Sequence, residues 1–413
     1  MQHRLPVDAL GPDGPAMATA VSSCVHCGFC LPACPTYAVL GEEMDSPRGR
    51  IVLMKEALEG ALPLADAAVH LDRCLGCLAC ETACPSGVRY RDLIEPVRER
   101  LAAARPAWRR AATSRLLNVM ESRDRFRRAM RLGRMARPLS ALFPETLRAM
   151  LSLLPPTRPT AAAPAATTPA EGARRGRVAL LRGCVQDVLR PSITAAAIRV
   201  LSREGFDVVV AADQGCCGAL AAHCGQRTRG EHLVDACRRA IPAGVDALVV
   251  TAAGCGSWLK DTATGTAAPP AVDIAEFLSS AGLTGTYELS APARVAYQDA
   301  CHLLHAQGSS AAPRRLLERV RHLTLVPVRD AGMCCGSAGL YNLEQPEIAA
   351  ELGARKAAAL AASGASIVAT GNIGCLTQLE KASAEAGAAI RLRHTIELLA
   401  EALVPGGQVL EDR

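Results

Sequence analysis

Two cysteine strings could carry chemistry. The first reads Cys24-Val-His-Cys27-Gly-Phe-Cys30-Leu-Pro-Ala-Cys34-Pro35, the second Cys74-Leu-Gly-Cys77-Leu-Ala-Cys80-Glu-Thr-Ala-Cys84-Pro85. Both match C-x₂-C-x₂-C-x₃-C-P, the spacing that holds a cubane [4Fe–4S] cluster. Three thiolates two residues apart wrap three corners of one cube, and the fourth, before proline, reaches the other cube. The spacing therefore assigns Cys24, Cys27, Cys30 and Cys84 to one cluster, and Cys74, Cys77, Cys80 and Cys34 to a second. The chemistry is one-electron transfer. Zinc also uses C-x₂-C pairs, but as two separated pairs rather than two complete runs.

The elements that must position these thiols follow from the residues between them. Ser46 is a good N-cap, Pro47 suits the first helical position, and Gly60 suits the residue after the C-cap. Ile51, Met54, Leu58 and Leu62 keep near-helical spacing, so a helix is expected to join the runs. A second helix is expected from Tyr90 to Ala104. With both, the segment resembles the α-helical ferredoxin modules of multi-subunit oxidoreductases. Arg48 and Arg50 either raise a cluster potential or dock a partner, or simply solvate the helix start. His26, between two ligands, is expected beside the cluster rather than on it.

A second cysteine set repeats. Cys184, the pair Cys216-Cys217 before Gly218, and Cys255 recur 117 to 120 residues later as Cys301, Cys334-Cys335 before Gly336, and Cys375. Short β-branched runs precede them, such as Ala247–Val250 and Ile367–Thr370. These read as buried parallel strands alternating with helices, with the cysteines where strands end. The motif resembles the CCG (cysteine-rich) domain, found twice in heterodisulfide reductases, whose members commonly finish each motif with C-x-x-C. Here Trp258 and Gln378 take that last position, which speaks against a fused five-cysteine cluster. One four-thiolate cluster per repeat, or one in a single repeat, is expected; zinc or unligated thiols are the competing readings. Cys224 and Cys237 fall outside the pattern and are expected to pack as small apolar residues. His302 and His305 are expected near the second site without ligating iron, and Tyr341 is expected to pack its turn.

The fold class expected is multidomain: an N-terminal α-helical two-cluster ferredoxin, then a pseudo-twofold pair of α/β, parallel-sheet repeats. The segments are a mobile N-terminus (1–20), the ferredoxin module (21–104), a basic helical connector (105–154), a Pro/Ala/Thr-rich linker (155–176) and two CCG repeats (177–290 and 291–413). The connector carries Arg123, Arg125, Arg127, Arg128, Arg131, Arg134 and Arg137 among apolar residues. It reads as a connector or partner contact, or as a membrane-surface segment; Pro138 and Pro144 interrupt the pattern and favour the former.

Composition bounds the rest. The 413 residues, half of them hydrophobic, suffice for several cores. Eighteen cysteines without an apolar leader point to a reducing compartment and metal ligation. No apolar run reaches the roughly 18 residues a membrane helix needs. A net charge of +6 with 3% aromatics gives no case for nucleic acid. No dinucleotide fingerprint, P-loop or nucleophile–base set is present, so no flavin and no substrate-oxidising site are expected on this chain.

The whole order resembles the iron–sulfur subunits of bacterial glycolate oxidase (glycolate dehydrogenase). The strings that carry the resemblance include Val25–Cys30, Ser46–Ile51, His70–Cys74, Cys84–Tyr90, Cys334–Gly339 and Asn372–Cys375. It implies FAD-containing partner subunits that oxidise glycolate to glyoxylate, and electrons passing through iron–sulfur clusters toward membrane quinone. It implies a cytoplasmic protein, peripheral on the inner face of the cell membrane through its complex. Related readings are the iron–sulfur subunits of anaerobic glycerol-3-phosphate or D-lactate dehydrogenase, or a heterodisulfide-reductase-like subunit.

Overall fold

Local capping shapes the N-terminal module. In the computed structural model, which describes residues 3–144, 148, 151–152, 154, 162–263 and 268–404, the Gly49 amide donates to Ser46 Oγ at 3.0 Å. Pro47, whose missing N–H would be unpaired there anyway, opens a helix. The module contains α1 (Gly14–Ser22), α2 (Pro35–Leu40), α3 (Pro47–Leu58), α4 (Leu64–Asp72), the single turn α5 (Ala79–Thr82) and α6 (Arg91–Ala104). Met17, Val21, Ile51, Met54, Leu71, Leu93 and Val97 form its core. Both helices expected around the cysteine runs are present.

The N-terminus, expected to be mobile over 1–20, instead packs. Val7–Asp13 forms a 3₁₀ turn, and Leu10 and Met17 are buried in the module core. Arg100 on α6 donates to the Leu10 carbonyl at 2.8 Å. The apolar side chains spaced among the glycines and prolines have a face to cover, and that outweighs the flexible composition.

The connector is helical. It comprises α7 (Ala107–Met120) and α8 (Arg123–Ala136), which pack as a hairpin. Arg229 ties it to the first repeat through Glu121 at 2.5 Å and Asn118 at 3.0 Å. The Pro-rich part of the expected linker, 155–161, lies outside the described residues. Its later part does not hang free: β1 (Thr167–Thr168) pairs antiparallel with β3 (Phe206–Val209). A sheet edge offers unpaired backbone groups, and β1 satisfies them.

Each repeat is a parallel sheet with helices on its faces. In the first, β2 (Gly176–Leu180), β3, β4 (Ala247–Val250) and β5 (Ala271–Asp273) stand in the order β1-β3-β2-β4-β5. In the second, β6 (Glu288–Tyr297), β7 (Arg321–Val326), β8 (Ile367–Thr370) and β9 (Arg391–His394) stand in the order β7-β6-β8-β9. Without β1 the two orders are the same: second, first, third, fourth. β4 and β8 are buried at every position, as covered parallel strands require. One apolar core joins the repeats, with Val249 and Leu201 in the same cluster as Val295 and Leu399. No helix among the described residues is long and apolar enough to cross a membrane.

Candidate metal centres

The loop between α1 and α2 carries Cys24, Cys27 and Cys30, and the turn after α5 brings Cys84 to them. These four, with Cys80, line a small cavity beside Pro47, Arg48 and Tyr90. The Val88 amide donates to Cys84 Sγ at 3.4 Å. Burial pushes the Cys30 thiol up to about 11, against backbone amides that favour its thiolate, and Cys24 and Cys84 lie near enough to add repulsion. Cys27 is exposed, and its neighbours Val25 and Phe29 are 65% and 67% exposed. His26 is also exposed, and its carbonyl accepts from Arg48 at 3.1 Å.

The second set lies deeper. Cys74 and Cys77 sit between α4 and α5, Cys80 on α5, and Cys34 at the N-cap of α2. Arg50, 1% exposed, donates to Thr36 Oγ1 at 2.9 Å and to Cys34 Sγ at 3.8 Å. Its charge is met by Asp45 at 3.3 Å, which also pairs with Arg73 at 2.9 Å. Burial opposes ionisation of Cys74, but Arg50, Arg98, the Gly76 amide and the Tyr90 hydroxyl overcome it, and the thiol falls below its ordinary value. Burial raises Cys77 and Cys80 well above theirs, and nearby thiols add to this.

In the repeats the cysteines gather beyond the strand ends. Cys184 follows β2, Cys216 and Cys217 follow β3, and Cys255 lies on the helix Ala253–Asp261 after β4. Cys184 and Cys216 sulfurs are 3.3 Å apart. Hydrogen bonding from Cys184 and Cys217 pulls Cys216 well below its usual range while raising both partners. The same pattern recurs with Cys334 between Cys301 and Cys335, and Cys375 is held down by Cys335. The doubled cysteine needs a left-handed residue after it. Gly218 has φ +85° and Gly336 φ +90°, and a Cβ on Gly218 would lie 2.2 Å from the Gly230 carbonyl oxygen.

Other residues named from sequence sit beside these sets. His302 Nδ1 is 3.5 Å from Cys301 Sγ. Loss of solvent holds it at about 3 and its edge-on neighbour His223 at about 4. His305 contacts Thr82 of α5 at 2.9 Å. Tyr341 donates to the Arg73 carbonyl at 2.8 Å, pinning the second repeat to the ferredoxin module. Gln378 accepts from Asn342 and donates to the Ala349 carbonyl, both at 2.7 Å, so it serves the fold. Trp258 packs in the first repeat's core with Cys237. Cys224 lines a separate cavity with Arg98 and Glu344. Sequence reasoning missed Arg98 and Lys356, whose charges reach Cys74 and the Cys334–Cys335 pair. Neither carries a local signal; each comes from a helix that follows its cysteines in the chain, Arg91–Ala104 and Pro346–Ala362.

The sets adjoin one another. Leu75, Cys77 and Ala79 share an apolar cluster with Cys301 and Cys334, and Cys77 and Cys334 feel each other's charge. A cavity of about 190 Å³ is lined by Cys184, Cys216, Cys217 and Cys255 of the first repeat and Cys301 and Asn372 of the second.

The donor chemistry suits iron–sulfur clusters. Amides of Gly76, Val88 and Gly218 each donate to a cysteine sulfur at 3.4 Å, and Asn372 donates to Cys375 Sγ at 3.5 Å. A thiol is a weak acceptor; an iron-bound thiolate is a better one, and such donors tune it.

Known proteins give the same picture. A 4Fe-4S dicluster domain model matches residues 20–88, and a cysteine-rich (CCG) domain model matches residues 178–260 and 295–380. The Escherichia coli glycolate oxidase iron-sulfur subunit is 37% identical, with 92% of this chain and 94% of that protein covered. The Bacillus subtilis probable glycolate oxidase iron-sulfur subunit is 34% identical over 92% of this chain and 93% of its own. Lactate utilization protein A of an Exiguobacterium species is 25% identical over 54% of this chain and 97% of its own. Iron–sulfur clusters are the cofactors of this chain. With both modules in one order, and likeness along nearly the whole length, the chain belongs to the glycolate oxidase iron–sulfur subunit family.

Proposed function

We propose that this chain is the electron-transfer subunit of a glycolate-oxidising complex. It receives electrons from an FAD-bearing partner that converts glycolate to glyoxylate, and passes them toward membrane quinone. The observation that carries this reading is the adjacency of the cysteine sets. One set lies at an exposed surface, Cys80 of the next lines the same small cavity, Cys77 shares an apolar cluster with Cys301 and Cys334, and Cys301 lines a cavity with the four cysteines of the first repeat. A bound cluster at each would accept and release one electron at a time.

The ligands in this reading are Cys24, Cys27, Cys30 and Cys84 for the first cluster, and Cys34, Cys74, Cys77 and Cys80 for the second. Cys184, Cys216, Cys217 and Cys255, and Cys301, Cys334, Cys335 and Cys375, serve the repeats. In this reading the two repeats act as a pseudo-twofold pair, residues 21–104 as the ferredoxin module, and the complex sits peripherally on the inner membrane face. The exposed Val25 and Phe29 flank Cys27 and form the face offered to the flavin subunit. Arg50, Arg98 and Lys356 hold positive charge near the sulfurs and favour the reduced state.

The test is anaerobic purification of the tagged chain with its partners, followed by addition of glycolate, D-lactate or glycerol 3-phosphate separately. Glycolate alone is expected to bleach the cluster absorbance of a flavin-containing preparation. Bleaching only by glycerol 3-phosphate would reassign the complex. No bleaching by any of the three, where dithionite bleaches, would overturn the proposed donor.

A further inference from the structure

The α7–α8 hairpin does not close tightly on the repeats. Between them lies a cavity of about 500 Å³, walled by Leu116, Val119, Phe126 and Met130 from the hairpin and Leu340 and Ile373 from the second repeat. Its inner end is continuous with the cysteine-lined cavity: Met120, Val185, Ser337 and Gly374 line both. Leu132 of α8 also lines it and is 67% exposed; Met135 and Leu142 beyond are 78% and 80% exposed. Arg125, Arg128, Arg131 and Arg137 are exposed on the same segment, where Asp124 is the one acidic residue between 123 and 137.

Three properties identify the occupant. The lining is apolar almost throughout, so a nucleotide or an organic acid would lose its hydration without replacement. The volume falls within the range of small-molecule sites and accommodates a ring with the start of a hydrocarbon tail. The mouth combines large exposed apolar side chains with arginines, the composition that seats a helix on an anionic lipid surface. At the wall, Asn342 gives one amide hydrogen to Gln378, and its buried Oδ1 has no hydrogen-bond partner; a hydroxyl of the reduced, quinol form would satisfy it, which the carbonyls of the oxidised form cannot.

We infer that this cavity binds the ring and first tail units of a lipid-soluble quinone, entering from the bilayer on which α8 lies. The inference rests on the electron-transfer reading above and gives it an exit. Two electrons from the donor and two protons from water convert the two quinone carbonyls to hydroxyls, and the quinol returns to the lipid. The cavity opens into the one lined by Cys184, Cys216, Cys217, Cys255 and Cys301.

The test is photolabelling of the purified whole complex with an arylazido quinone bearing a short isoprenoid tail, without glycolate, followed by peptide mapping. Label is expected on 116–136, 337–343 or 373–377, and excess decylubiquinone is expected to suppress it about tenfold. The variant Ala129→Trp, which fills the cavity from α8, is expected to lower labelling about tenfold; retained cluster absorbance shows that it has folded. Label elsewhere, label that decylubiquinone does not displace, or a folded variant that labels like the parent would overturn the site. So would labelling of the isolated chain but not of the complex, which would make a partner subunit the occupant. Bleaching by glycolate in the same preparation reports the electron-transfer reading separately, because labelling requires no glycolate.

Discussion

Arg48 and Arg50 are two residues apart and do different things. Arg48 reaches outward and pairs with Glu43 at 2.8 Å, on the surface beside the first cysteine set. Arg50 turns inward, buried between Asp45 and the sulfur of Cys34. A cation there favours whichever redox state carries more negative charge, the reduced one. Replacing it with a methionine, which keeps most of the stem, removes that attraction. At an effective dielectric near 20, one charge several ångströms away is worth on the order of 100 mV. Arg50→Met is therefore expected to move one cluster to a more negative potential by that order, and Arg48→Met to have a smaller effect. An EPR-monitored redox titration of the anaerobic protein distinguishes them. The Ser-Pro-Arg-Gly-Arg string marked both arginines, but only the helix phase and the position of Asp45 decide which one is buried.

At the scale of elements, the turn after each doubled cysteine is the most constrained piece. Gly218 and Gly336 both have left-handed φ, but their surroundings differ. A Cβ on Gly218 would meet the Gly230 carbonyl oxygen at 2.2 Å, whereas on Gly336 the nearest atom, the Ala349 carbonyl oxygen, is 2.8 Å away. Gly218→Ala is expected to destabilise the protein by at least about 2 kcal/mol and to strip iron from the first repeat. Gly336→Ala should be milder. Denaturant unfolding with iron analysis compares them. The sequence made much of this level legible. The α3 caps, the helix after Cys84, and the strands before Cys255 and Cys375 all declare themselves through local residues. The packed N-terminus and β1 did not. Leu10 and Met17 are too few to show a period, and Thr167–Thr168 becomes a strand only because β3 presents an open edge. The 500 Å³ cavity was also invisible, because its walls come from segments some 200 residues apart that only tertiary packing brings together.

At the scale of the whole molecule, a buried imidazole adds to the apolar core that joins the repeats. His394 closes β9 and caps the helix Thr395–Ala402, accepting the Ile396 amide on Nδ1 at 3.2 Å. Its Nε2 donates to the Thr251 carbonyl of the first repeat at 2.8 Å. Only the neutral ring can do both. Burial holds its pKa at about 4, against the pull of Glu397. The stability this lends is complete above the unfolded-state value of about 6.5 and is lost as pH falls through the folded-state value, up to an order of 3 kcal/mol. The thermal midpoint of the anaerobic holoprotein is expected to fall between about pH 6.5 and about pH 4. His394→Gln should flatten that decline; an unchanged slope would remove His394 from the junction.

The two cysteine runs are interlaced: Cys84 of the second joins Cys24 and Cys30, and Cys34 of the first joins Cys74, Cys77 and Cys80. With the ligand sets proposed above, this sets the order in which the module is completed during synthesis. A nascent chain ending before Cys74 already holds every cysteine of the first run, yet neither binding place is whole. The deeper one closes when Cys80 emerges, and the one that began at Cys24 closes last, at Cys84. Iron loading thus belongs to the finished ferredoxin module, and the supply of metal must wait for the chain.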